Sequence, residues 1–148
     1  MLRTTALVNW RSHAPPNFST QAVIRSLGPA VPDPGDLESF AFSVAGAPLT
    51  AADRNMWGVT FADDGDTYYA TAASGPRSSL VRWSMSARTM TAIHDAPECP
   101  SLSPDETRVA YKKDVGDGVP DWRIAVLNLA SGVETMLPEE LSVDDQVA

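Results

Sequence analysis

The chain of 148 residues has little cysteine, little histidine and few basic residues. Cys99 is the only cysteine, which excludes an intrachain disulfide and a cysteine-based metal cluster. Eleven Lys and Arg stand against 19 Asp and Glu, so the formal net charge is −8 and a protein that binds the nucleic-acid backbone is disfavoured. The basic residues are scattered and are not interleaved with aromatic residues, as a surface that stacks nucleic-acid bases requires. We therefore expect no nucleic-acid partner.

Long hydrophobic runs are also missing. No stretch approaches the ~18 apolar residues of a membrane helix, and the N-terminal segment 1–11 has no apolar run long enough for a secretory signal. Hydrophobic residues still make up 43% of the chain and charged residues 20%, which is enough for one folded domain. The sequence predicts a soluble domain without a membrane span or a signal peptide, and it leaves the cellular location open.

The residues needed for nucleophilic catalysis are sparse. The two histidines are His13, in a Pro-rich segment, and His94, at the end of a predicted strand, and no Gly-x-Ser-x-Gly motif is present. His94 is most simply a surface or inter-strand residue. Glu98 precedes Cys99 and would raise the pKa of its thiol, so we predict a buried, unreactive cysteine. The sequence therefore predicts no enzyme, no catalytic or cofactor-binding residue and no cofactor.

Two acidic loops are candidates for metal binding. The segment Asp114–Asp121 places three carboxylates around two glycines, and calcium prefers several oxygen ligands from a flexible loop. The spacing is not that of a helix–loop–helix calcium site, and Asp, Gly and Pro are also the residues that hairpin loops select. The second candidate comprises Asp63, Asp64 and Asp66, and Asp64 is already expected to organise a turn, by analogy with Asp105. We prefer the turn interpretation for both loops and predict no metal site, with calcium at Asp114–Asp121 left as an open alternative.

Residues 1–37 are predicted to form an irregular, Pro- and Gly-rich N-terminal arm. The segments Ala14–Asn17 and Gly28–Gly35 are typical of extended linkers or loops. Between them, Ser19–Leu27 fits either a short helix closed by Gly28 or a strand, and we prefer the helix.

From residue 38 onward the pattern is that of short strands. Phe40–Val44 alternates apolar and polar residues, with Gly46 beyond its end. Strands separated by turns are then predicted at Trp57–Phe61, Thr67–Thr71, Leu80–Met85 and near Met90–Ile93. The aromatic residues in these and the later strands are expected to pack between layers and to need no ligand. They are Trp57, Tyr68, Tyr69, Trp83, Tyr111 and Trp122.

This series of strands occurs twice. Four pairs of residues match at a spacing of 41 and four more at a spacing of 44, and the three extra residues fall in the longer loop 115–120. The matched pairs are Phe61 with Leu102, Asp64 with Asp105, Tyr68 with Val109, Ala70 with Tyr111, Leu80 with Ile124, Trp83 with Leu127, Met85 with Leu129 and Ile93 with Leu137. A period of ~40–45 residues with four short strands is typical of a β-propeller blade. We predict blades at about 56–97 and 98–140 and the start of a further blade at 141–148.

The second copy resembles a known family. Pro100–Asp105 followed by Arg108–Tyr111 resembles the "PxxSPDG-xx-IAF" segment of TolB-like, WD40-like (PD40) propeller repeats. Trp122–Gly132 looks like the third strand and following turn of such a blade, and Met136-Leu137 like the end of its fourth strand. The segment from Asn55 to Thr71 looks like a divergent first copy. The sequence departs from the family at Glu106, where the turn glycine is expected, so Glu106 must adopt a left-handed conformation or change the turn type.

The resemblance implies an all-β fold of antiparallel four-stranded propeller-type blades and a non-enzymatic, protein-binding scaffold associated with the bacterial envelope. Two clear blades are fewer than the ~4–8 that close a propeller; we place the Phe40–Val44 strand in a preceding blade. The order of preference is a fragment of a longer propeller, an oligomer of this chain through exposed blade edges, and a degenerate sandwich. Two alternative functions stay open: the propeller portion of a prolyl-oligopeptidase-like serine peptidase, and a stand-alone oligomeric β-protein.

Overall fold

The computed structural model describes residues 4–9, 21–26, 35–50 and 54–143. In chain order its strands are β1 (Thr4–Asn9), β2 (Gln21–Ser26), β3 (Gly35–Asp36), β4 (Ala41–Val44), β5 (Ala47–Pro48), β6 (Asn55–Phe61), β7 (Thr67–Ser74), β8 (Arg77–Ser84), β9 (Thr89–Asp95), β10 (Pro97–Leu102), β11 (Arg108–Asp114), β12 (Trp122–Asn128) and β13 (Glu134–Met136). One short 3-10 helix, Leu37–Ser39, precedes β4. The described part of the chain is therefore all-β, as predicted, and it contains no helix long and apolar enough to cross a membrane.

Two antiparallel meanders dominate the fold. Strands β6 to β9 pair in chain order, and so do strands β10 to β13. The first meander belongs to a six-stranded sheet and the second forms a four-stranded sheet by itself. The sheets do not close into a ring within the residues described.

The first turn of each meander is organised by an aspartate. Asp64 Oδ1 accepts hydrogen bonds from the backbone N–H groups of Asp66 (2.8 Å) and Thr67 (2.7 Å). Asp105 Oδ1 likewise accepts from the backbone N–H of Thr107 at 3.2 Å. Gly65 has φ +72° and Glu106, 41 residues later, has φ +55°. Glu106 thus adopts the left-handed conformation that the departure from the family pattern requires.

The first strand of each meander carries a β-bulge at the same place. The pairing register shifts between Trp57 and Thr60 in β6 and between Glu98 and Ser101 in β10. The bulged residues Gly58 (φ +64°) and Cys99 (φ +51°) are both left-handed. A Cβ atom on Gly58 would lie 2.8 Å from the Cα of Cys99, closer than real Cβ contacts allow. Glycine at 58 therefore lets β6 and β10 approach each other.

Hydrophobic cores lie on both faces of the first meander. Alternation along β7 directs Tyr68 and Ala70 into one core and Tyr69 into the other. The first core joins this sheet to the N-terminal segments and comprises Ala22, Ile24, Leu37, Phe40, Phe42, Met56, Tyr68, Ala70, Ala72, Val81, Trp83 and Met90. The second core joins the two meanders and comprises Tyr69, Leu80, Val109, Tyr111, Ala125 and Leu127. The aromatic residues Tyr68, Tyr69, Trp83 and Tyr111 are buried in these layers, whereas Trp57 and Trp122 are half-buried.

Two threonines of the first meander bond the backbone of β10 across the interface. The Cys99 N–H donates to Thr71 Oγ1 and the Leu102 N–H donates to Thr60 Oγ1, each at 3.2 Å. The bulge and the edge position leave these N–H groups outside the β10–β11 ladder, and a buried unpaired N–H would be costly. The interface between the meanders is therefore specified by hydrogen bonds as well as by apolar packing.

The strand predicted at Phe40–Val44 does not lie in a preceding blade. Its residues form β4, which pairs in parallel with β9, with Phe42 opposite Met90, and β5 then adds antiparallel to β4. The first sheet consequently has six strands and one parallel pair, which differs from the predicted purely antiparallel, four-stranded blade. The parallel pairing joins residues 48 positions apart, and a local alternation pattern carries no information about it.

The helix preferred for Ser19–Leu27 is also wrong. Gln21–Ser26 is strand β2, paired with β1 on one side and β3 on the other. Ile24 is fully buried in the first core, and the β-branched pair Val23 and Ile24 suits a strand once neighbouring strands are available. The arm predicted to be irregular thus contains three strands in its described residues. His13, Ala14–Asn17, most of Gly28–Gly35 and the last residues of the predicted further blade lie outside the described residues.

Candidate functional site

A cluster of four polar side chains bridges the outer parts of the two meanders. Glu134 on β13 lies at its centre; we call it, with His94, Tyr111 and Lys113, the Glu134 cluster. His94 Nε2 lies 2.8 Å from Glu134 Oε2, and Lys113 Nζ donates to Oε1 at 2.5 Å. The Tyr111 hydroxyl also donates to Oε2. Since an ionised carboxylate can only accept, His94 carries a proton on Nε2.

Strand geometry brings these side chains together. Tyr111 and Lys113 are two residues apart on β11 and share one face, and Glu134, opposite Leu127 of β12, shares that face. His94 comes from β9 of the other meander, and its ring centroid lies 5.9 Å from that of Tyr111. This cluster was not predicted from the sequence. The available signal was the spacing of 44, which sets Glu134 at the position where the first copy has Met90.

The cluster keeps Glu134 ionised. Burial raises the pKa of Glu134, but hydrogen bonds from Lys113, Tyr111 and His94, with the Lys113 charge, outweigh burial and lower the pKa to about 2. Burial and the hydrogen bond to Glu134 raise the pKa of Tyr111. At neutral pH the cluster therefore holds a carboxylate and a neutral phenol.

This arrangement suits a structural role and recognition better than proton transfer. A general base works best with a pKa near the operating pH, which the carboxylate of Glu134 does not have. Its two oxygens already accept three hydrogen bonds, so little capacity is left for a reacting group. The cluster instead fixes β9 against β11 and β13 and supplies polar groups to the surface between them.

A groove of about 540 Å³ opens beside the Glu134 cluster. Its lining combines apolar and polar residues: Val44, Ala45, Ala92, Ile93, His94, Asp95, Ala96, Lys113 and Glu134. Two of these residues, Ala45 (φ +49°) and Ala96 (φ +58°), hold the left-handed conformation without being glycine. Such strained residues concentrate at functional sites, which makes this groove the candidate binding site. We call it the β9–β13 groove.

A second groove of about 470 Å³ lies between the same two meanders. It is lined by Tyr69, Arg82, Ile93, Glu106, Thr107, Leu127, Asn128, Leu129, Ala130 and Gly132. Burial raises the pKa of Tyr69, which therefore stays a neutral phenol at this surface. Ile93 contributes to both grooves and its side chain is 38% exposed, an unusual exposure for an isoleucine next to a buried interface.

His94 lies where the sequence analysis expects it, between strands. It links two sheets through Glu134, and the described residues place no serine or cysteine hydrogen bond on its ring. The sequence prediction of an inter-strand role therefore agrees with its position.

Cys99 differs from its prediction. It is exposed, whereas the sequence analysis expects a buried cysteine. The bulge explains the difference, because the left-handed conformation at residue 99 interrupts the alternation that would have turned this side chain inward.

The acidic loop Asp114–Asp121 is closed by its own hydrogen bonds. Asp114 Oδ1 accepts from the backbone N–H groups of Gly116 and Asp121, both at 2.9 Å, and these bonds lower the pKa of Asp114. Asp121 pairs with Arg123 at 2.9 Å. Among the described residues, three acidic or histidine side chains nowhere converge as a metal site would require.

Comparisons with known proteins add no assignment. Neither a scan against protein-family models nor a search of curated proteins gave a match for this chain.

Proposed function

We propose that this chain is a non-enzymatic protein-binding module made of propeller-type, TolB-like blades, with a protein partner in the bacterial envelope. The observation that carries the proposal is the repeated meander, with one copy stacked on the other. Turn, bulge and buried positions recur 41 residues apart, and the first strand of the second meander packs against the first meander. Stacked four-stranded meanders of this kind are the building units of propellers, whose surfaces serve as scaffolds for binding.

The β9–β13 groove is the proposed binding surface. Its lining combines apolar residues with a few charged side chains, and a concave apolar site with a few polar groups is the usual form of a recognition site. The Glu134 carboxylate is already neutralised by Lys113, so an apolar group that covers it leaves no unpaired charge. These features favour binding of a peptide surface over chemistry.

A displayed library of random peptides, selected on the folded 148-residue chain, tests this function. We expect enriched peptides that bind the folded chain and fail to bind a urea-denatured control. Ile93→Asp should abolish this binding because it replaces an apolar residue of the groove lining with a charged one. Val119→Asp is the matched control, since Val119 is 76% exposed in a loop away from the grooves.

Two results would contradict the proposal. One is the absence of any peptide selective for the folded chain. The other is hydrolysis of a peptide or ester substrate by the purified chain that disappears in His94→Ala, because that result would make the chain an enzyme.

A further inference from the structure

The outer edge of the first meander already binds an extended segment. β4 lies along β9 in parallel, with Ala41 opposite Thr89 and Phe42 opposite Met90. The Ala41 N–H donates to the carbonyl oxygen of Arg88 at 3.3 Å, and the Phe42 side chain packs into the first core. Strand addition at this edge is thus a property of the fold.

The outer edge of the second meander has the same geometry. The residue that ends the turn before β9 is Arg88 (φ +52°), and its equivalent 44 residues later is Gly132 (φ +70°). Among the described residues, β13 is the last strand of its sheet and pairs only with β12. The β13 edge is therefore the counterpart of the β9 edge that β4 covers.

The backbone of β13 presents hydrogen-bonding groups at this edge. The Asn128 N–H donates to the Val133 carbonyl and the Leu137 N–H donates to the Ile124 carbonyl, each at 2.9 Å. In an antiparallel ladder, hydrogen-bonded pairs alternate with non-bonded pairs. The N–H and C=O groups of Glu134 and Met136 consequently point away from β12. In the first meander, the backbone groups of Met90 point in the same way toward β4.

We propose that the β13 edge binds an extended peptide segment of a protein partner as an added parallel strand. The register follows from β4: one peptide residue lies opposite Val133 and donates its N–H to the Gly132 carbonyl, and the next lies opposite Glu134. Main-chain hydrogen bonds supply affinity in this mode of recognition, and side-chain pockets supply specificity. This proposal rests on the proposed protein-binding function and names its site and ligand class.

The peptide residue opposite Glu134 should be apolar. Its side chain lies on the Glu134 face of the sheet and enters the β9–β13 groove, as Phe42 enters the first core opposite Met90. The groove offers Ala92 and Ile93 as apolar contacts, and Met136, which is 39% exposed, lies on the same face of β13 as Glu134. The flanking peptide residues face outward beside the exposed Thr135 and should be small or polar.

A fluorescent synthetic peptide with the sequence of residues 39–46, which contains β4, is the probe. In the wild-type chain we expect its binding to slow hydrogen–deuterium exchange at the Glu134 and Met136 amides. Met136→Pro removes one outward N–H at an edge position that tolerates proline. The affinity of this variant for the probe should therefore fall about tenfold or more. Met136→Ala keeps the N–H and should stay within about threefold of wild type. A probe with Asp in place of Phe42 should bind more weakly than the original probe.

Other outcomes would overturn the proposal. Unchanged affinity in Met136→Pro, or protection of β9 amides without protection at β13, would show that the β13 edge is not the site. Self-association of the wild-type chain by light scattering, with β13 amides protected before peptide is added, would assign the edge to a second copy. If library peptides bind the folded chain but leave β13 unprotected, the edge proposal fails while the protein-binding function stands.

Discussion

Gly58 lies at the bulge of β6, against the backbone of β10. Its φ is +64°, and a Cβ atom there would lie 2.8 Å from the Cα of Cys99 and 2.9 Å from the Cδ of Pro100. In Gly58→Ala, alanine at positive φ costs about 1–2 kcal/mol. Displacing the β10 backbone costs about 1–3 kcal/mol more, as for overpacking of a core. We therefore expect a loss of about 2–5 kcal/mol in the free energy of unfolding.

Gly65→Ala is the matched control. Gly65 has φ +72°, but a Cβ atom there would meet nothing within 4 Å, so only the strain of about 1–2 kcal/mol applies. Urea unfolding followed by circular dichroism measures both variants under the same conditions. Equal losses in the two variants would refute the close approach of β6 and β10 and the interface built on it.

Three further predictions concern the second core and two carboxylates. Leu102→Asp should cost several kcal/mol and remove the cooperative unfolding of the second meander, because Leu102 packs on the second core; a melt near the wild-type midpoint would reject that position. The Glu134 pKa of about 2 lies below the ordinary 4.5, so its contribution is present above pH 4.5 and is lost as pH falls through 2. Glu134→Gln should reduce the acid-induced loss of stability by about 1–2 kcal/mol, after allowance for solvent screening. Urea unfolding from pH 5 to 2 measures this loss, and a free energy of unfolding that falls with pH as steeply as in wild type would contradict the cluster. Burial and, to a smaller extent, the hydrogen bond with Asp36 raise the pKa of Glu38 to about 8. The contribution of Glu38 to the free energy of unfolding is therefore complete below pH 4.5 and is lost as pH rises through 8. Glu38→Gln should flatten the decline of stability between pH 5 and 8, and a decline equal to that of wild type would contradict this assignment.

Local chemistry allowed the repeated turns to be predicted. Asp64 and Asp105 each bond the backbone two residues on, and Glu106 has the left-handed conformation, one of the two alternatives expected for it. These features depend only on neighbouring residues, so the sequence contains the information they need.

The errors arise where distant segments meet. The parallel pairing of β4 with β9 joins strands far apart in the chain, and β2 depends on its pairing with β1 and β3. Tertiary pairing of this kind overrides a weak local preference for helix. Cys99 was misjudged because a bulge breaks the alternation on which burial predictions rest.

The Glu134 cluster was missed for the same reason. Its members come from β9, β11 and β13, and their convergence requires both meanders to be stacked. A glutamate in place of the buried Met90 of the first copy was visible in the sequence. The three side chains that donate hydrogen bonds to this glutamate could not be identified from the sequence.

The stacked arrangement of the two meanders depends most on the packing of β10 against the first meander. Nuclear Overhauser effects between backbone amides and threonine side chains measure this packing directly. We predict cross-peaks from the Leu102 amide to the Thr60 side chain and from the Cys99 amide to the Thr71 side chain, where the donor and acceptor atoms are 3.2 Å apart. A spectrum of the folded chain that contains the cross-peaks within each meander but lacks both of these would contradict the stacked arrangement and the groove formed by it.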